Sequence, residues 1–276
     1  MTSLIASIFG LVVGSFLNVC IYRWPRGESV VGPRSRCPHC NSTINWYDNI
    51  PLVSYCLLKA QCRCCHEKIS ILYPAVELLN ALLWGYLFGC NGLDPKTFKL
   101  AIFTSMMLVL IFTDLLEYIL PDEITVGGLL AAAAFIPIVP IKDQFTGIVW
   151  LFVARPAVWL VSVVESISSV LLMGGLLYGL RSAYFRIRKI EGLGLGDVKM
   201  MAMIAAFWGL IPTIMILMLG SVIGAIIGLM VIAYTQRGWQ HRLPFGSYLG
   251  VSSIIVTIWG EGILSWYASF FFALPT

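Results

Sequence analysis

Long apolar runs separated by short polar breaks dominate the chain. The pattern predicts spans over Thr2–Tyr22, Tyr73–Cys90, Thr97–Leu116, Glu123–Pro140, Ala157–Leu180, Asp197–Pro212, Thr213–Tyr234 and Phe245–Phe271. A spanning helix needs about 20 predominantly apolar residues, and most of these runs supply nearly that. Asn91-Gly92-Leu93-Asp94-Pro95 closes the second, and Pro212 divides the sixth from the seventh. The first run lacks a basic n-region and a small-residue cleavage motif, so it is read as a retained span rather than a removable signal peptide.

One segment breaks the pattern. Arg23 to Leu72 is rich in Pro, Asn and Cys and has no apolar period long enough to span. The domain reading is therefore a first transmembrane helix over 1–22, a soluble insertion over 23–72, and a transmembrane core over 73–276. The fold class is an all-α polytopic membrane protein of about eight transmembrane helices carrying a small cytoplasmic, zinc-binding insertion.

Composition agrees. The 276 residues are 59% hydrophobic and only 12% charged, with a mean hydropathy of +0.87. Soluble domains carry roughly 25% charged residues, so a water-soluble surface is excluded. Basic residues cluster in three loops. Arg23–Leu72 holds Arg23, Arg26, Arg34, Arg36, Lys59, Arg63 and Lys68; Arg181–Gly196 holds Arg181, Arg186, Arg188 and Lys189; Gln236–Pro244 holds Arg237 and Arg242. Lys and Arg favour the cytoplasmic side. Eight spans with an external N-terminus put all three loops there. The net charge of +4 is then topological bias and needs no nucleic-acid partner. The opposite stretch Ile141–Pro156, with Trp150, Leu151 and Phe152, is expected to lie along the external interface.

Six of the eight cysteines lie in the insertion. Cys37-Pro38-His39-Cys40 and Cys62-Arg63-Cys64-Cys65 are two C-x-x-C pairs about 21 residues apart, close to the pattern of a four-thiolate zinc site. Each pair can hold one edge of a tetrahedral ion. Zinc contributes about 10–16 kcal/mol in such sites, enough to fold a loop with little apolar surface. Two disulfides are the alternative, suited to an oxidising compartment. Cys64, His39 and His66 are further candidate ligands. Cys20, Cys56 and Cys90 read as small apolar packing residues.

Ionisable groups in spans are costly, so each is a functional candidate. Asp114 ends the third span and Asp197 opens the sixth, after Gly192-Leu193-Gly194-Leu195-Gly196. The topology puts both at one membrane face. Two carboxyls meeting there would share a proton, one acting as base on water and the other as acid. The structural alternatives are an N-cap role for Asp197 and a snorkelling position for Asp114. Asp122 and Glu123 read as caps of the next helix. Glu77 reads as a helix-start carboxylate or a cofactor ligand, and Lys199 as a residue reaching lipid phosphate.

An ordered set of segments carries a resemblance. It comprises Gly14-Ser15-Phe16-Leu17-Asn18-Val19 with Arg23 and Pro25, Ser35-Arg36-Cys37-Pro38-His39-Cys40, Asn49-Ile50-Pro51-Leu52-Val53-Ser54-Tyr55, and Ile69-Ser70-Ile71-Leu72-Tyr73-Pro74-Ala75-Val76-Glu77. Asp114 with Leu120-Pro121-Asp122, Gly194-Leu195-Gly196-Asp197-Val198-Lys199, and Pro244-Phe245-Gly246 complete it. With these, nearly the whole chain resembles the bacterial type IV prepilin peptidases, whose G-x-G-D motif also resembles that of other intramembrane proteases. The resemblance implies an inner-membrane aspartic endopeptidase that cuts prepilins or pseudopilins after a glycine at the cytoplasmic face. It also implies N-methylation of the new N-terminus with S-adenosylmethionine. It assigns catalysis to Asp114 and Asp197 and structural zinc to Cys37, Cys40, Cys62 and Cys65. The S-adenosylmethionine site is expected within Arg23–Leu72 and the adjacent helix ends. Membrane lipid is the other expected partner. Departures from the family pattern are the extra Cys64, a long Ile141–Pro156 stretch, and Ser247 where proline is common, a difference expected to be minor. A peptidase without methylation, a transporter and a non-catalytic scaffold are the competing readings.

Overall fold

The computed structural model describes residues 1–141, 157–189, 192–235 and 243–272. The Ile141–Pro156 interface expectation and the loop basic residues Arg237 and Arg242 therefore fall, apart from Ile141, outside the described residues. The described chain is helical: α1 (Thr2–Arg23), α2 (Val53–Leu57), α3 (Leu72–Asn91), α4 (Pro95–Glu117), α5 (Asp122–Phe135), α6 (Val158–Arg188), α7 (Leu195–Trp208), α8 (Leu210–Thr235) and α9 (Phe245–Phe272). All except α2 correspond to the expected runs. Five helices, α1, α4, α6, α8 and α9, are long and apolar enough to cross a membrane. Helices α5 and α7 have only 14 residues each, about 21 Å of axis against a hydrocarbon core of about 30 Å.

Three boundaries differ from expectation. Helix α5 stops at Phe135, short of the expected Pro140. The break between α7 and α8 is at Gly209, whose φ of 80° closes α7, and not at Pro212. Pro212 sits in the first turn of α8, where its missing N–H leaves no bond unmade. Helix α6 continues past Leu180 to Arg188, ending on Lys189 in the left-handed conformation. A chain of 31 residues measures about 46 Å as a helix, so the basic stretch after Leu180 is largely a helical extension.

The chain forms two compact units, Met1–Thr113 and Asp114–Thr276. In the first, α1 packs along α3 at close range. A Cβ on Gly10 would come within 2.8 Å of Ala81 Cα, and one on Gly14 within 2.7 Å of Glu77 Cα. This is the Gly-x-x-x-Gly solution to packing without a hydrophobic driving force. Asn80 adds a buried donor to Gly10 O at 2.7 Å. In the second unit α7 is central, packing on α5, α6, α8 and α9. Met200, Met201, Met203, Ile204, Ala205 and Phe207 are fully buried on it. The helix that Asp197 opens is thus held by four neighbours.

Candidate active site and candidate metal centre

Asp114 lies in the last turn of α4, 6% exposed. Its Oδ2 accepts the Ser247 backbone N–H at 2.7 Å and the Ser247 hydroxyl at 3.1 Å. Ser247 is in the first turn of α9, whose N–H groups have no intrahelical partner and favour an anion. Ser247 thus gives Asp114 two donors, neither of which a proline could supply. Gly246 is needed for the approach, since a Cβ on it would lie 3.1 Å from Asp114 Oδ2 and 2.9 Å from Leu120 Cδ1.

Asp197 is in the first turn of α7, three residues after the N-cap Gly194. It is thus not the N-cap; its carboxylate reaches back to the Gly194 N–H, half of a capping box. A Cβ on Gly194 would lie 2.9 Å from Asp197 Oδ2, and one on Gly196 would lie 3.0 Å from Leu120 Cβ. Leu120 thus packs against both Gly196 and Gly246, joining the α7 and α9 starts beside the end of α4. Asp114 and Asp197 are close enough for their charges to interact. The loop before α7 is braced from α6: Arg181 Nε donates to Leu193 O at 3.0 Å, and Tyr184 covers Gly192.

Lys199 does not point to lipid phosphate in this structure. Its Nζ binds Asp122 at 2.7 and 2.8 Å, tying the start of α5 to that of α7. Asp122 and Glu123 do lie in the first turn of α5, though Asp122 makes no side-chain cap bond there. The roles of Leu120 and Ser247 were missed in the sequence. A serine where proline is common, beside Pro244-Phe245-Gly246, was the available signal for Ser247; Leu120 offered none.

In the first unit, the thiol sulfurs of Cys37, Cys40, Cys62 and Cys65 lie within 4.8 Å of one another. The two knuckles are built alike. Cys37 N donates to Ser42 O at 3.0 Å and Asn41 N to Cys37 O at 2.9 Å; Cys62 N donates to Glu67 O at 2.8 Å and His66 N to Cys62 O at 3.0 Å. Asn41 and His66 take equivalent positive φ values, 55° and 57°. Antiparallel bridges Arg36–Thr43 and Gln61–Lys68 close each turn. The Cys37–Cys65 sulfurs are 3.8 Å apart. A tetrahedral ion at about 2.3 Å from each sulfur requires edges of about 3.8 Å, so the donor set fits zinc. All eight cysteines are free thiols here, and Cys64, exposed, is outside the group. His39 and His66 are outside it too. Cys20 is buried as packing requires, but Cys56 and Cys90 are exposed.

Two of the four thiols are shifted toward the thiolate form that binds a cation. The Ser42 hydroxyl, 3.0 Å from Cys40 Sγ, and then the Ser42 backbone bring the Cys40 thiol down to about 6. Backbone N–H groups of Cys65 and Cys64 lower Cys62. Against the pull of the Glu67 N–H, desolvation and the neighbouring sulfurs push Cys65 up to about 12. Arg63, inside the second knuckle, forks onto Asp48 at 2.6 to 3.1 Å. That fork, followed by charge attraction, holds the Asp48 carboxyl below its ordinary range.

Buried bonds hold the insertion on α1 and α3. Arg23 donates to Ser29 O at 2.8 Å and Pro33 O at 2.7 Å. Glu77, 8% exposed, is not a helix-start carboxylate: its Oε2 accepts the Leu52 N–H at 2.9 Å, and the Ser15 hydroxyl also donates to it. Leu52 itself has a φ of 59°.

A polytopic helical protein with two carboxyls at neighbouring helix ends and a four-cysteine insertion has the make-up of a membrane aspartic peptidase. Residues 8–90 match the Bacterial Peptidase A24 N-terminal domain and residues 101–229 the Type IV leader peptidase family. The chain belongs to the type IV leader peptidase family. It is 32% identical to a prepilin leader peptidase/N-methyltransferase of Aeromonas salmonicida, covering 95% of this chain and 92% of that protein. A protein of the same description from Pseudomonas aeruginosa is 30% identical over 95% of this chain and 92% of its own length. One from Myxococcus xanthus is 34% identical over 83% of this chain and 63% of its own. No solved structure matches.

Proposed function

We propose that the chain cleaves the leader of prepilins or pseudopilins, after a glycine, with Asp114 and Asp197 as the catalytic pair, and then N-methylates the new N-terminus. The observation that carries the peptidase reading is the meeting of Gly196 and Gly246 at Leu120, with Asp114 against Gly246, Asp197 against Gly194, and the two carboxyls near enough for their charges to interact. Like charges so close cannot both ionise cheaply, so the pair shares one proton. The ionised carboxyl takes a proton from water as it attacks the scissile carbonyl carbon. The protonated one hands its proton to the carbonyl oxygen, giving a neutral tetrahedral gem-diol. Its collapse breaks the C–N bond as the leaving nitrogen is protonated. The bare glycine backbone lets an extended peptide approach the pair.

In this reading Cys37, Cys40, Cys62 and Cys65 hold zinc, which folds the 23–72 insertion and takes no part in the chemistry. S-adenosylmethionine supplies the methyl group, and its site lies within Arg23–Leu72 and the adjacent helix ends. The enzyme sits in the bacterial inner membrane with its N-terminus external and the dyad at the cytoplasmic face, as the loop charges favour.

The test is purified protein in detergent incubated with a prepilin and S-adenosylmethionine, read by mass spectrometry. Cleavage after glycine followed by a 14-dalton gain is the expected result; intact prepilin would overturn the peptidase reading. Asp114→Asn and Asp197→Asn should each lower cleavage by at least about 10²-fold with zinc retained. Near wild-type turnover in either would remove that residue from the chemistry.

A further inference from the structure

A cavity of about 750 Å³ opens between the cysteine insertion and the α1 and α3 helices. Its size is in the range of sites for nucleotide-sized ligands, about 300–1,000 Å³, and far beyond what an ion needs. Glu77 lines it from a buried position. A carboxylate offers about four acceptor positions, and Leu52 and Ser15 use two. Among the described residues no cation pairs with Glu77. Of the wall's other carboxylates, Glu28 and Glu67 are exposed to water and Asp48 is already neutralised by Arg63. A buried carboxylate without a counter-charge is costly unless a cationic partner arrives. The wall also carries the aromatic rings of Tyr22, Tyr55 and Tyr73 and the cationic groups of Arg23, Arg34, Arg36, Arg63 and Lys68.

We propose that this cavity is the S-adenosylmethionine site, with Glu77 facing the donor's positive charge. The assignment rests on the methyltransferase reading above and narrows it to one pocket. The donor has the matching chemistry: a sulfonium and an ammonium for Glu77, an adenine ring for a tyrosine face, and a carboxylate for an arginine. In the transfer, the lone pair of the neutral N-terminal amine forms the new N–C bond as the C–S bond breaks. The sulfonium leaves as a neutral thioether, and the resulting secondary ammonium returns a proton to water. Glu77 binds the donor and does not act as its base.

The experiment uses the full chain in detergent without peptide. Equilibrium binding of labelled S-adenosylmethionine is measured for wild type and Glu77→Gln, and ultraviolet cross-linking of the donor to wild type is mapped by mass spectrometry. Glutamine keeps an acceptor for Leu52 N–H and loses the charge; zinc content checks the insertion. Binding weakened about tenfold or more, with cross-links confined to peptides of residues 15–77, is the expected outcome. Unchanged affinity in the variant, or cross-links in the 114–276 unit, overturns the assignment. If the variant loses zinc, the wild-type cross-link map alone decides. Methyl transfer by wild type to a pre-cut peptide separates the two levels: transfer with cross-links elsewhere sinks only the pocket, whereas no binding and no transfer sinks the methyltransferase reading as well.

Discussion

Ser247 shows how much a single residue can carry. Its hydroxyl and backbone N–H both reach Asp114 Oδ2, and only the hydroxyl is removed in Ser247→Ala. A neutral bond of this kind contributes about 0.5–1.5 kcal/mol, so kcat for prepilin cleavage should fall roughly two- to tenfold while zinc content stays. An unchanged kcat would show that the backbone donor suffices. Cys40 supplies a pH-dependent test. Its thiol, brought down to about 6 chiefly by the Ser42 hydroxyl, is a thiolate above that pH and a thiol below it. In zinc-loaded protein, release of the metal on acidification, read with a chromophoric chelator, should have a midpoint set by protonation of the thiolates. Ser42→Ala should move that midpoint to higher pH, because the Cys40 thiol then protonates more readily. A shared midpoint in the two proteins would remove the role given to Ser42.

At the scale of elements, the hydrophobic pattern was sufficient to find every described helix except α2, because lipid and a tight core reward the same apolar runs. Their ends were less legible. Gly209 stops α7 because its φ of 80° suits glycine, whereas Pro212 is harmless in a first turn. The apparent end at Arg181 was a change in composition and not in conformation, since a helix leaving the membrane keeps its hydrogen bonds in water. The cysteine site was readable because its ligands repeat at a local spacing, which already named Cys65; the structure leaves Cys64 outside the group. Contacts between distant segments were not readable. Lys199 finds Asp122 across 77 positions, and Leu120 gains meaning only when two glycine segments meet it. One element-level prediction follows from Gly14. A Cβ there would be 2.7 Å from the Glu77 backbone, which no side-chain rotation relieves. Gly14→Val should destabilise the α1–α3 pair by about 1–3 kcal/mol, seen as a lower thermal midpoint in detergent. A midpoint equal to wild type would show that the helices part without cost.

For the whole molecule, the division of labour follows from where charged groups are affordable. The dyad is built from helix ends of the 114–276 unit, where exposed N–H groups and bare glycine backbone serve carboxyls and substrate. The cysteine insertion and its cavity belong to the 1–113 unit. Methyl transfer needs a neutral amine aligned with the donor, and alignment can supply most of the acceleration; it has no step for a carboxyl dyad. Asp114→Asn protein should therefore still methylate a pre-cut pilin peptide presented in micelles, at a rate within a few-fold of wild type. Chelation of zinc should have the opposite signature. The metal supplies folding free energy to its domain, and the insertion forms one wall of the cavity, so donor binding should fall with zinc content and return when zinc is restored. Labelled methyl incorporation and donor binding, measured on the same samples, make the comparison. An Asp114→Asn protein that retains zinc and binds the peptide, yet transfers no methyl group, would mean that one site performs both reactions.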